Sequence, residues 1–481
     1  MEKTGTSPLA AARATPHEAF HPQSKFSPAG SPPGRPEGML AGMNTNNNST
    51  DPALVQHYSA LLGLGEEWTV TRLHLNVEGR RLDLFLDYAA KAAVCPACGT
   101  LARLHDRQPE RTWRHLDTMQ FATYIHAPVP RVACPEHGAK VIELPWAGKH
   151  SRFTLLFEAF AVQVLQAARS KRHASELLRL EWHQAQELMA AAVERGMQRR
   201  KPEEISYVGM DEKAFLKGKK ADDFACLMVD LDESRVLEVS RGRSAEGAAA
   251  LIDKALTPDQ QQMVCAVAID MSAPFEKAIR EKFENADTVF DKFHVEKHLN
   301  EAVDRTRRQE HARLLKAKDR RLANTKYLWL KGTEHLSPEA EAERQDLLHS
   351  ALETGKAWGL KEAFKHFWRS RDKEFARATF DCWYKEALRL GIRPMVKVAQ
   401  MLKKHLHGLL AWFDSRIDNG RTEGYNSLVA SILSAARGYR NFDNLRTAIL
   451  FHCGKLDMMP DLVRVGGALD LSAPSLTDWF H

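Results

Sequence analysis

The chain is 481 residues long, 44% hydrophobic and 27% charged, with a formal net charge of +6. That length exceeds one ordinary domain and predicts two to four, and the mild basic excess suits a polyanionic partner without demanding one. No stretch approaches the roughly 20 apolar residues that cross a bilayer, no basic-then-apolar leader opens the chain, and seven unevenly spaced cysteines do not make a secreted disulfide framework; a cytoplasmic protein with no membrane partner is expected.

Residues 1–50 are rich in Pro, Ser, Gly, Ala and Asn. They bury too little apolar area to offset chain entropy, so a disordered extension is expected there. Residues 51–150 read as short strands. WTVTRLHLNVEGRRLDLFLDY alternates apolar and polar residues around EGRR, the pattern of a hairpin. CPAC at 95–98 and CPEH at 134–137 each offer two metal ligands separated by two residues, followed by Gly99 and Gly138 for tight turns. Cys95, Cys98, Cys134 and His137 are the predicted tetrahedral zinc ligands, with His105, His115 and His126 as alternatives for the fourth position. Four protein ligands make a closed structural site rather than a catalytic one. Cys226, Cys265, Cys382 and Cys453 lie among apolar residues and read as buried thiols.

From 151 to 202 the apolar period becomes helical. RSKRHASELLRLEWHQAQELMAAAVERG fits helix, short turn, helix. Arg169, Lys171 and Arg172 are predicted to face phosphates. His183, Gln184 and Gln186 open the second helix, where such a motif reads base edges, so double-stranded DNA is the expected partner.

Residues 203–300 alternate strand and helix signals. ISYVGMDEKAF is strand-like and ends in acid; FACLMVDLDESRVLEVSRGR is a hairpin turning at DES; SAEGAAALIDKAL is helical. VCAVAIDMSAPFEKAIREKF and ADTVFDKFHVEKHLNEAVDRTRR are each strand then helix. This order predicts a mixed sheet covered by helices in an α/β multidomain protein. Residues 301–415 are all-helical and dense in Lys and Arg, which suit DNA phosphates; Trp329, Trp358, Trp368, Trp383 and Trp412 read as core anchors. Residues 416–460 hold the last amphipathic helices, and 461–481 form a tail.

Asp211 ends the run YVGMD and Asp270 ends AVAID. A lone Asp after a strand is often a cap or turn former. Two strands of one sheet that both end in Asp put two carboxylates within reach of one divalent ion. Glu423, at a helix start in NGRTEGYNSL, completes a set of three. Carboxylates holding Mg²⁺ or Mn²⁺ are what phosphodiester chemistry requires. Asp291 and His294, in VFDKFHV, are accessory candidates for metal or phosphate contact, and Arg421 for the scissile phosphate.

GMDEKAF, DLDESRVLEVSRGR, AIDMSAPFEKAI, FDKFHVEKHLNEAVDRTRR and NGRTEGYNSLVASILSAARGYRNFDNLRTAIL, in that order, resemble successive blocks of the ISL-three family of bacterial insertion-sequence transposases. The resemblance spans roughly residues 90–460. It implies a zinc ribbon, a helix-turn-helix, and a ribonuclease-H-like catalytic domain interrupted by a helical insertion. Matched motif by motif, the family's DDE triad falls on Asp211, Asp270 and Glu423. The implied activity is metal-dependent cleavage and strand transfer at the element's terminal inverted repeats, on a dimer or larger assembly. Two departures stand out: Val429, Ala430, Ser431 and Ser434 occupy positions where the family carries basic residues, and DKFH replaces DRFH. Two rival readings are a DNA-binding protein that keeps the fold without cutting, and a ribonuclease-H-like nuclease.

Overall fold

The computed structural model describes residues 46–461, apart from 169, 219, 333, 334, 351, 418 and 419 and the side chains of residues 46 and 421. Most of the expected disordered extension, the C-terminal tail and Arg169 lie outside the described residues.

The first unit is β-rich: β1 (Asn46–Ser49), α1 (Pro52–Leu61), β2 (Trp68–Asn76), β3 (Arg81–Tyr88), β4 (Ala92–Val94), β5 (Leu101–Arg114), β6 (Ala122–Cys134) and β7 (Gly138–Val141). These strands form one sheet in the order β1-β2-β3-β6-β5-β4, with β7 added to β6. Asn46–Ser49, in the stretch expected to lack structure, pairs with β2 as its edge. The predicted hairpin is β2–β3. Period-two alternation turns Leu82, Leu84 and Leu86 into a core with Trp68, Trp113 and Trp146.

Three helices follow: α2 (Leu155–Ala167), α3 (Lys171–Leu178) and α4 (Trp182–Arg199). Ser170 caps α3 through the amide of His173, and Arg179 ends it in the left-handed conformation at φ 53°. That residue sets the tight turn of the helix-turn-helix.

The second sheet comprises β8 (Tyr207–Ala214), β9 (Phe224–Asp230), β10 (Arg235–Arg241), β11 (Ala266–Ile269) and β12 (Asp287–Phe290). Its order is β10-β9-β8-β11-β12; β10, β9 and β8 run antiparallel, and β8, β11 and β12 parallel. The helices between them are α5 (Ala245–Ala255), α6 (Pro258–Met263) and α7 (Ala273–Lys282). This is the mixed sheet predicted from the sequence, with one correction. Asp211 does not end its strand: β8 runs on to Ala214 against β9, and only its pairing with β11 stops short of Asp211, at Gly209. The hydrophobic runs VGM and FACLMVD carry the strand past the acid, because one flank of β8 remains paired.

The helical segment comprises α8 (Lys292–Lys316), α9 (Lys326–Leu330), α10 (Pro338–His349), α11 (Glu353–Trp368), α12 (Lys373–Leu390), α13 (Arg393–Lys404) and α14 (Leu406–Ser415), and the chain closes with α15 (Gly420–Ala435) and α16 (Phe442–Cys453). Trp329, Trp368 and Trp383 are buried as expected, while Trp358 and Trp412 pack partly buried against the same core. Gly408 of α14 lies against β12, where an added Cβ would sit 3.0 Å from the Thr288 carbonyl.

The two faces of this second sheet feed two cores. Cys226 and Met228 point to α5, α7 and the helical segment. Ala225, Leu227 and Val229 point to a core that also contains Phe157, Leu165, Leu188 and Met189 of the helix-turn-helix and Leu445 and Ile449 of α16. The helices of the helix-turn-helix therefore share a hydrophobic core with this second sheet. Arg195 and Arg199 of α4 also donate to the carbonyls of Met458 and Met459, each at 2.6 Å. Of the cysteines read as buried thiols, Cys226 and Cys453 are buried, but Cys265 and Cys382 are exposed, since both stand at element ends or helix faces that no layer covers.

Candidate active site and metal centres

In the β-rich unit, the ligand atoms of Cys95, Cys98, Cys134 and His137 all lie within 4.8 Å of one another. Cys98 Sγ is 3.6 Å from Cys134 Sγ, and Cys134 Sγ is 3.6 Å from His137 Nδ1. Zn–S bonds of about 2.3 Å in a tetrahedron require edges of about 3.7 Å, so the cradle fits a zinc ion. The Thr100 hydroxyl and amide hold the Cys98 thiol down at about 6, favouring thiolate. Positive φ at Gly99 (74°) and Gly138 (68°) makes the two knuckle turns. The alternative ligands are engaged elsewhere: His126 bonds Asp83 at 2.6 Å and Thr112 at 3.0 Å, and His115 bonds Thr154 at 2.9 Å. His105 sits beside Asp106, 3.2 Å away.

The second centre forms at the ends of three parallel strands. The register pairs Ala268 with Gly209 and Ile269 with Phe290. Extended along each strand, it sets Asp270 beside Asp211 on one side and beside Asp291 on the other. The Asp291 amide donates to the Ile269 carbonyl at 3.0 Å, which fixes that alignment. Neighbouring strands are about 4.8 Å apart, so three carboxylates emerge side by side.

Helix α15 brings the fourth acid from far along the chain. Val429 is buried in the core on that face of the sheet. Asn426 donates to Asp211 Oδ2 at 2.5 Å, and the Tyr425 hydroxyl donates to the Ser234 carbonyl. Glu423 lies one turn before Asn426 on the same helix face, and its carboxylate joins Asp291 and His294 in a cluster whose ligand atoms lie within 4.8 Å of one another. Asp291 caps α8 through the Phe293 amide at 3.2 Å and holds His294 Nδ1 at 2.9 Å.

The electrostatics match a site awaiting positive charge. Burial, then the neighbouring Asp211, pushes the Asp270 carboxyl up to about 6. Burial likewise raises Asp211 and Glu212. The bond to Asp291 raises His294. Asp270 Oδ1 is buried with no hydrogen-bond partner among the described residues. An orphaned carboxylate oxygen among other acids is costly alone; the carboxylate oxygens gathered here fit a hard divalent cation.

Of the predicted DNA contacts, Arg172 and His183 are exposed. Arg172 also pairs with Glu176 at 3.0 Å. Lys171 instead lies over the Trp182 ring at 3.7 Å and bonds Gln186, so these two are joined within the motif. Gln184 caps α4 by accepting from the Glu181 amide at 2.9 Å. The side chain of Arg421 lies outside the described residues. Sequence reasoning missed Asn426; its only signal was the spacing of three residues from Glu423.

Comparison with known proteins decides the family. The transposase domain of family ISL3 matches residues 208–449, which is half of the chain. The chain belongs to the ISL3 transposase family. The zinc finger of transposases IS204/IS1001/IS1096/IS1165 matches residues 91–137 of this transposase, and the helix-turn-helix domain of family ISL3 matches residues 142–193. The transposase for insertion sequence element IS1001 of Bordetella parapertussis is 29% identical over 367 residues, 76% of this chain and 89% of its own. The transposase for IS1557 of Mycobacterium tuberculosis is 25% identical over 419 residues, covering 80% and 93% respectively. The ISL3 transposase is thus a DNA-cleaving and strand-transferring enzyme with a zinc ribbon, a DNA-binding helix-turn-helix and a DDE catalytic domain. Among the described residues, no helix is long and apolar enough to cross a membrane.

Proposed function

We propose that Asp211, Asp270 and Glu423 are the catalytic triad of this transposase and hold Mg²⁺ or Mn²⁺ against the DNA backbone at the element's terminal inverted repeats. The alignment of Asp211 and Asp270 on adjacent parallel strands, with Asn426 tying the Glu423 helix to Asp211, carries this reading. These carboxylates would hold the divalent cations, whose chemistry there would be to lower the pKa of the attacking water or 3′-hydroxyl and to offset charge on the leaving oxygen. Asn426 holds the Asp211 carboxylate in one rotamer. Asp291 orients His294 toward the acid cluster, where it contacts a phosphate oxygen or serves as a further ligand. Cys95, Cys98, Cys134 and His137 hold the structural zinc. Arg172 and His183 contact the end sequence, and Arg421 the scissile strand. Two ends must be joined, which favours a dimer or larger assembly in the bacterial cytoplasm.

The test is Mg²⁺- or Mn²⁺-dependent nicking and joining of a duplex that carries the element's end. Wild type should cut and join; Asp270→Asn should bind but not cut. Equal cutting by Asp270→Asn sinks the triad assignment. Cutting of RNA or branched DNA without strand joining would favour the nuclease reading.

A further inference from the structure

The outer face of α8 runs away from the acid cluster and lines a groove of ≈520 Å³ with α9. Phe293 stands at its mouth, between Asp291 and His294 in sequence, and is 57% exposed. Single exposed apolar residues are ordinary, and this one alone would mean little. Its position is what sets it apart: its ring stands roughly perpendicular to the His294 ring at 6.0 Å, and His294 itself belongs to the cluster with Asp291 and Glu423, so the exposed ring lies beside the acids. Lys297 and Arg305 follow Phe293 on one helical stripe, and Lys326 faces them from α9. None of these three cations has an ion pair among the described residues. Glu296, Glu301 and Asp304 interleave with them, so the attraction comes from the wider segment. Residues 292–331 carry twelve Lys and Arg against five Asp and Glu, a net +7, more than the +6 of the whole chain. From Phe293 to Arg305 the helix rises about 18 Å, the length of about five nucleotides along one strand of a duplex.

We propose that the α8–α9 groove carries the DNA strand leading away from the cleaved phosphate, and that Phe293 stacks on an unpaired base next to that phosphate. The aromatic face binds any base, and Lys297, Arg305 and Lys326 track the backbone. The proposal rests on the acid cluster being the cleavage site.

Binding of the full-length transposase to a duplex carrying its element's end tests it, with Ca²⁺ in place of Mg²⁺ so that cutting is not read. Abasic substitutions are walked through about five nucleotides on each side of the cleavage position. Phe293→Ala should weaken binding about 5- to 150-fold, and Phe293→Trp should restore it. At one position the abasic site and Phe293→Ala should cost no more together than either alone. Additive losses at every position, or no loss for Phe293→Ala, overturn the stacking role. Lys297→Glu with Arg305→Glu should lower the salt slope of binding by about 2; an unchanged slope overturns the groove path. Failure of the triad would appear only in the nicking assay, leaving these binding results interpretable.

Discussion

Asn426 of α15 donates to Asp211 of β8 at 2.5 Å, across 215 residues of sequence. This bond, with the burial of Val429 beneath it, carries Glu423 to the sheet edge where Asp270 and Asp291 emerge. Asn426→Ala should leave Asp211 without its donor and lower the single-turnover nicking rate about 10- to 100-fold, as removal of groups that orient metal ligands does elsewhere. DNA affinity should stay unchanged. A wild-type rate in the variant would mean that α15 is held in place by other contacts.

Asp270 links metal binding to stability. Its carboxyl is pushed up to about 6 in the fold, against an ordinary 3.8. Below about pH 4 it is protonated in folded and unfolded chain alike and costs nothing. As pH rises toward 6 the unfolded chain ionises first, so this group's contribution falls by roughly 3 kcal/mol and stays lost above 6. In divalent-free buffer at pH 7.5, Asp270→Asn should therefore raise Tm, and Mg²⁺ should raise Tm of wild type but not of the variant. A lower Tm for Asp270→Asn would contradict the picture of an uncompensated buried charge.

The zinc centre predicts roughly one zinc per chain by elemental analysis, falling to nearly none in Cys134→Ser. Because ligand and fold form together, chelation should expose Trp68, Trp113 and Trp146, which are packed in the same core as Cys95 and Cys134. Tryptophan emission should shift red; retention of the native spectrum after complete zinc removal would count against a structural role.

Two neighbouring cations of the helix-turn-helix should behave differently. Arg172 is exposed, so Arg172→Ala should lower the salt slope of DNA binding by about 1. Burial brings Lys171 down to about 8, and it lies over Trp182, so Lys171→Ala should lower Tm and leave the slope nearly unchanged. Interchanged outcomes would reverse their assignments.

Gly408→Ala should destabilise the protein by ~1–3 kcal/mol in denaturant unfolding. Its Cβ would lie 2.5 Å from Cε2 of Phe290 and 3.0 Å from the Thr288 carbonyl, forcing α14 off β12. A neutral result would show that this helix is free to shift.

The sequence by itself determined what depends on short spacings: the CPAC and CPEH knuckles, the β2–β3 hairpin, the α3–α4 turn, and the acids that close YVGMD and AVAID. These follow from local turn chemistry and from periods of 2 and 3.6, which a few neighbouring residues fix. The succession of strands and helices in the catalytic domain was legible in the same way, though not the order of the strands within its sheet. Only the tertiary structure decided what depends on packing between distant segments. It set the register that aligns Asp211, Asp270 and Asp291, and the Asn426 bond that seats Glu423. It also laid Lys171 over the Trp182 ring and against Gln186, and gave the helix-turn-helix a core shared with the catalytic sheet. Each of these is fixed by which apolar faces bury against each other, and that choice minimises exposed area over the whole chain rather than within any one stretch.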